Sequence, residues 1–178
     1  MKNILKTVLL VSLALAMFAC SEKKVTEDDL KKAEAALFND EMMVNPDLAS
    51  QTAEKYCRFV KQNPDAPAAP NWLFKALSIY INAKDAEKSI ETCNMLMEDY
   101  PDFTYTPTGM FMLANCIYDA EQHDLDKARA LYEKIISDYP DNELVPTVEK
   151  SIEYLGMTPE EILTLIQMSQ MDTEEGAW

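Results

Sequence analysis

Apolar residues recur at helical spacing along most of the chain. In several windows they lie three, four and seven positions apart, as on a helix with one buried stripe. Two such windows are residues 56–60 and 73–80. No segment alternates apolar and polar residues in the way that a half-buried strand does. The pattern predicts an all-α protein.

Polar and special residues mark where several of these helices begin and end. Thr26 and Asp29 have the spacing of a capping box, and so do Thr158 and Glu161. Gly156 lies just before the second box, at a position where glycine commonly ends a helix. These signals predict a helix over 26–38 and a pair of helices over 145–155 and 159–170.

Three stretches of the chain resemble one another when they are aligned at their Pro-Asp pairs. The stretches are 48–65, 85–102 and 124–141. One column of the alignment holds the small residues Thr52, Ser89 and Ala128, and apolar residues fill the columns beside it. The closing prolines, Pro64, Pro101 and Pro140, are 37 and 39 residues apart, which suits a repeat of two helices. The spacing of the three stretches therefore predicts a stack of helix pairs.

Residues 113–118, which precede the third stretch, read Leu-Ala-Asn-Cys-Ile-Tyr. They are similar to the first-helix signature of the tetratricopeptide repeat family, which residues 110–141 resemble most clearly. The second-helix positions of the family are matched by Ala128, Tyr132, Ile135 and Pro140. The resemblance implies an all-α, short right-handed α-solenoid of about three such helix pairs. We place the pairs at 26–66, 69–102 and 108–141, the first of them degenerate, within a repeat domain over 26–170.

A C-terminal helix pair over 143–170 is expected to cap the solenoid. A last repeat exposes its apolar face unless an end cap covers it. The final residues, 171–178, are acidic and lack periodicity, so we interpret them as a flexible tail.

The N-terminus has the layout of an export signal. Lys2 and Lys6 precede an apolar run over 8–19, which is shorter than the ~20 residues that a membrane-spanning helix needs. Residues 17–20, Met-Phe-Ala-Cys, resemble the lipobox of bacterial lipoproteins. That resemblance implies a signal peptide over 1–19, lipidation at Cys20 and an anchor and linker over 20–25. The alternative is an ordinary signal peptide that leaves Cys20 as an incidental thiol.

The same resemblance implies a place in the cell. A lipidated Cys20 anchors the protein to a membrane of the cell envelope, and we expect the outer membrane. The Asp-Tyr-Pro-Asp sequences at 99–102 and 138–141 are similar to those in repeat proteins of the bacterial envelope.

The chain is strongly acidic. It carries 16 basic and 31 acidic residues, a formal net charge of −15. No clustered patch of lysine and arginine is evident along the sequence, so we expect the body to repel nucleic acid and anionic lipid. We interpret the acidity as an aid to solubility, with a specific basic partner as the alternative.

Few residues of the chain are suited to catalysis, phosphate binding or metal binding. The chain has three glycines, too few for phosphate-cradling loops, and its single histidine, His123, lies in an acidic turn. No serine or cysteine stands at a recognisable spacing from a base, so no catalytic or metal site is predicted. The sequence indicates a non-enzyme without a cofactor.

Cys93 and Cys116 are expected to face the interior between neighbouring helices. A disulfide between them and two free buried thiols both fit the sequence. Cys57 stays unpaired in either case.

The family resemblance also implies where a partner binds, because the first helix of each repeat lines the concave surface. The matching residues are Asn71, Phe74, Ser78, Phe111, Asn115 and Tyr118. Aromatic and amide side chains suit an extended peptide or helix of an envelope protein. The alternative for Phe74 and Phe111 is packing against an adjoining helix.

Two functions follow from these observations. The first is a non-catalytic interaction or scaffold module of the cell envelope, which binds a peptide or protein in its groove. The second is an accessory lipoprotein that binds a small ligand or glycan.

Overall fold

A computed structural model describes residues 23–37 and 45–175. Cys20, the predicted signal peptide and the last three residues of the predicted tail lie outside the described residues. Within the described ranges, no helix has both the length and the apolar character needed to span a bilayer.

The described part of the chain contains eight α-helices and no strand. They are α1 (Glu27–Ala36), α2 (Pro46–Gln62), α3 (Ala69–Asn82), α4 (Ala86–Asp99), α5 (Thr106–Met112), α6 (Leu125–Asp138), α7 (Val145–Glu153) and α8 (Pro159–Glu175). The helix α5 continues into a π-helical turn, the π segment (Leu113–Asp119). The prediction of an all-α protein is confirmed.

Helices that follow one another along the chain pack together from α1 to α7, and α3 also contacts α5. The buried residues form one continuous core along the stack. Its largest fully buried side chains include Tyr56, Leu77, Leu96, Ile117 and Tyr132, which come from α2, α3, α4, the π segment and α6. Because each helix pair buries its apolar stripe against the next pair, the fold is a short helical solenoid.

The turns inside the second and third pairs share one geometry. Asp85 and Asp124 each precede a helix, and each side chain accepts a hydrogen bond from the backbone N–H three residues later, at 3.1 and 3.2 Å. The residues just before them, Lys84 and His123, have positive φ angles of 55° and 52°. His123 therefore belongs to the turn of the repeat.

The two Asp-Tyr-Pro-Asp sequences also have a structural role. The Tyr100 hydroxyl donates a hydrogen bond to the carbonyl oxygen of Pro64 at 2.9 Å. The Tyr139 hydroxyl donates to the carbonyl oxygen of Pro101 at 3.0 Å. Each tyrosine thus ties the end of its own helix pair to the closing proline of the pair before it.

The predicted capping boxes are present at both positions. The Asp29 carboxylate accepts the backbone N–H of Thr26 at 3.0 Å, and the Thr26 hydroxyl accepts that of Asp29 at 3.3 Å. The corresponding distances for Thr158 and Glu161 are 2.7 and 3.3 Å. Gly156 follows α7 with a φ of 79°, a backbone conformation that favours glycine.

The C-terminal pair differs from the expected cap. Val148 of α7 is fully buried, whereas the side chains of Leu163, Leu165 and Ile166 on α8 are exposed. The helix α7 therefore covers the apolar face of the third helix pair. In addition, α8 runs to Glu175, beyond the predicted end at residue 170. No glycine or proline interrupts residues 160–175, so nothing local stops the helix.

Candidate interaction surface

The six residues predicted to line a groove lie on the first helices of the second and third pairs. Asn71 and Asn115 are exposed. The other four are half-buried, and they comprise Phe74, Ser78, Phe111 and Tyr118. Their contacts divide them among three places.

Phe74 belongs to a cluster of three aromatic rings, which we call the aromatic cluster. Its ring stacks on that of Tyr105 with centroids 5.5 Å apart and meets the edge of Phe103 at 6.4 Å. Tyr105 keeps half of its surface exposed, at 50%. Sequence reasoning missed Phe103 and Tyr105, because they lie in the loop before α5, where no helical periodicity marks them.

Phe111 packs within its own helix pair. Its ring centroid lies 5.8 Å from that of Tyr132 on α6. The Ser78 hydroxyl donates a hydrogen bond to the carbonyl oxygen of Phe74 at 3.0 Å, so its hydrogen-bonding capacity is used within α3. These contacts agree with the alternative interpretation of Phe111, that it packs against an adjoining helix.

Tyr118 contacts residues of the second helices, α4 and α6. The Lys127 ammonium group lies 5.7 Å from the centre of its ring. Tyr118 lines a cleft of about 220 Å³ together with residues of α4 and α6, including Asn94 and Leu131. Burial raises the pKa of the Tyr118 hydroxyl, and the nearby Lys127 opposes this shift.

A larger cleft of about 480 Å³ lies between α2 and α4. Ion pairs cross it, from Lys61 to Glu91 at 3.2 Å and from Lys88 to Glu54 at 2.9 Å. Lys61 and Lys88 are thus paired with carboxylates of the same cleft, so these two cations add little net charge to it. The side chains of both pairs are partly exposed, so each pair adds little stability.

The sequence interpretation of the cysteines is wrong for one of them. Cys93 is buried, as expected, but Cys116 is exposed, and both are free thiols with no bridge between them. The buried stripe of this helix runs through Met110, Leu113, Ala114 and Ile117. Cys116 falls between the rows of that stripe and therefore points away from the core. Burial raises the pKa of the Cys93 thiol to about 12.

Thiol labelling is expected to distinguish these two cysteines. In the folded protein Cys116 should react with a maleimide more than tenfold faster than Cys93, because Cys93 is both inaccessible and poorly ionised. Peptide mass spectrometry after timed labelling measures the two rates. In denaturant the two rates should become similar, and unequal rates there would contradict this explanation.

Basic residues form a patch that the sequence expectation ruled out. Five cations line one pocket of about 360 Å³ at the N-terminal end of the solenoid. They are Lys23, Lys24, Lys32, Lys55 and Arg58. The expectation of no basic patch is therefore wrong, because the packing of α1 on α2 joins residues that are far apart in sequence.

No group of three or more His, Cys, Asp or Glu residues suited to a metal ion occurs in the part of the chain that the structure describes.

Comparison with known families supports the repeat assignment. Residues 109–142 match the family model described as tetratricopeptide repeat. No curated protein and no solved structure shows significant similarity to the chain. The matched segment covers the end of α5, the π segment and α6, and the chain is tetratricopeptide-like there. Repeats of this family generally mediate protein–protein interaction, which indicates an interaction module.

Proposed function

We propose that the chain is a non-catalytic scaffold of the bacterial cell envelope, anchored by lipid at Cys20, that binds a peptide or protein partner. The tetratricopeptide match at 109–142 supports the binding role in this proposal. The partner contacts the surface formed by the first helices, α3 and α5 with its π segment.

The side chains on this surface support peptide binding. Asn71 and Asn115 are exposed, and an amide side chain both donates and accepts hydrogen bonds with a peptide backbone. Tyr105 adds a half-exposed ring whose position is fixed by stacking on Phe74. Rigid aromatic side chains contribute much of the binding energy at protein interfaces.

The envelope location is supported by the N-terminal sequence. Two lysines precede the apolar run, which stops at Cys20 and is followed by Ser-Glu-Lys-Lys. Mass spectrometry of the N-terminal peptide tests the anchor directly. An acylated Cys20 at the mature N-terminus supports it, and an intact N-terminus or an unmodified Cys20 refutes it.

Site-specific crosslinking tests partner binding. A photoreactive residue replaces Asn71 or Asn115, and the control replaces Glu87, an exposed residue on α4. Capture of the same identified envelope protein from both test positions and not from Glu87 is expected. Substitution of the exposed Tyr105 by alanine should reduce that capture.

Other results would count against the proposal. Equal capture from Glu87 indicates non-specific contact. An absence of protein capture, together with protection of Tyr105 by a sugar or other small molecule, favours the accessory lipoprotein that binds a small ligand or glycan.

A further inference from the structure

The basic pocket at the N-terminal end contrasts with the rest of the molecule. The whole chain has a formal net charge of −15, yet this pocket is lined by five cations and one carboxylate, that of Asp29. A concentration of positive charge against the overall balance marks a binding site for an anion.

Packing between α1 and α2 builds the pocket. Leu30 and Ala33 of α1 are buried, which holds this helix against α2. The backbone N–H of Val25 donates a hydrogen bond to the Gln62 side chain at 2.8 Å and ties the segment before α1 to the end of α2. Lys23 and Lys24 are thereby placed beside the cations of α2.

The positive charge that lines the pocket exceeds the negative charge that lines it. Seven lysines elsewhere each have a carboxylate oxygen within 3.2 Å. No ion pair joins any of the five cations of the pocket to a side chain that the structure describes. The Asp29 carboxylate accepts hydrogen bonds from the hydroxyl and the backbone N–H of Thr26. These bonds, both to Oδ2, lower the pKa of Asp29, and the nearby charges of Lys23 and Lys32 lower it further. A single carboxylate thus offsets part of the charge of five cations.

The position of the pocket along the chain points to the membrane surface. Lys23 follows Cys20 by three residues, and three residues of extended chain span at most about 11 Å. An acylated Cys20 would hold the pocket close to the headgroups, at about the distance over which salt screens charges. This step rests on the proposed lipid anchor.

We propose that this pocket binds the phosphate of an anionic phospholipid headgroup in the membrane that holds Cys20. The headgroup lies between the lysines of the N-terminal segment and α1 on one side and Lys55 and Arg58 of α2 on the other. Cations near an anionic membrane are attracted to it, while the acidic remainder of the solenoid is repelled. The bound headgroup therefore orients the solenoid with its first helix pair toward the membrane.

Lysine labelling tests the site without depending on the anchor. The purified protein is titrated with dihexanoyl phosphatidylglycerol below its micelle concentration, and amine acetylation of Lys32 is followed by mass spectrometry. Dihexanoyl phosphatidylcholine and inorganic phosphate, at the same concentrations and ionic strength, form the comparison arms. We expect protection of Lys32 by phosphatidylglycerol alone, with no change at Lys134 of α6.

Two charge-matched variants complete the test. The exposed pair Lys55→Ala/Arg58→Ala should weaken phosphatidylglycerol binding roughly 25-fold, at about fivefold for each cation. The variant Arg129→Ala/Lys134→Ala removes the same charge from α6 and should bind as the parent does. Circular dichroism confirms that both variants remain helical.

Four results would overturn the proposal: no protection of Lys32, equal protection by phosphatidylcholine, equal protection by inorganic phosphate, or equal weakening in both variants. Equal protection by inorganic phosphate identifies a site for free anions. The mass of the Cys20 peptide separates this outcome from failure of the anchor. An unmodified Cys20 with protected Lys32 refutes the anchor alone, and an acylated Cys20 with unprotected Lys32 refutes the headgroup site alone.

Discussion

Replacement of Leu77 by alanine is expected to lower the free energy of unfolding by about 2 to 5 kcal/mol. Leu77 is fully buried on α3, the helix that contacts α2, α4 and α5 at the middle of the solenoid. Removal of its side chain leaves a cavity that rigid helices on three sides fill only in part. Urea denaturation followed by helical circular dichroism measures the change.

The control for this prediction is Leu163→Ala on α8. Leu163 has 58% of its surface exposed, so the same substitution should change the free energy of unfolding by no more than about 0.5 kcal/mol. A loss below about 1 kcal/mol for Leu77→Ala would mean that α3 is not at the centre of a packed core. A comparable loss for Leu163→Ala would mean that α8 is covered in solution.

Local sequence patterns were enough to predict the fold. Leu73 and Leu77 are four residues apart, the spacing that places both on one face of a helix, and both are fully buried. The capping box at Thr26 and Asp29 involves two residues that are three positions apart. The regular spacing of the closing prolines indicated the repeat. All of these signals depend on residues within one helix pair or on their recurrence.

The candidate surfaces were less predictable, because they depend on contacts between distant residues. Lys23 and Arg58 line one pocket only because α1 packs on α2. A sequence search for adjacent basic residues finds Lys23 and Lys24 but does not connect them with Lys55 and Arg58. Phe103 and Tyr105 join Phe74 through the path of a loop, and helical periodicity carries no information about that path.

The π segment helps to explain why Tyr118 contacts the second helices as well as belonging to the predicted groove. A π turn holds more residues than an α turn, so residues after it are rotated from the positions that a regular helix would give them. Tyr118 lies within this segment and lines a cleft with α4 and α6 residues. The family signature predicted the helix correctly but assumed regular α geometry for the side chains at its end.

Substitution of Gly109 by leucine is expected to destabilise the protein by about 3 kcal/mol, the opposite of the usual effect of replacing a helical glycine. Gly109 lies in α5 where that helix approaches α3 and α4. A Cβ atom at this position would be 2.9 Å from Cδ2 of Leu77 and 3.4 Å from Cδ1 of Leu96. A leucine therefore forces α5 away from the core. Urea denaturation measures the loss.

A double variant determines whether this close approach is the cause. Leu77→Ala removes the side chain that the new leucine would meet, so Leu77→Ala/Gly109→Leu should lose at least about 1 kcal/mol less than the sum of the single changes. Ala130→Leu, at an exposed position of α6, provides the control for adding a leucine to a helix and should have a small effect. Additive losses in the double variant would show that Gly109 is not required by its contact with Leu77. A combined loss smaller than the sum of the single changes would show that the second and third helix pairs pack closely because Gly109 has no side chain.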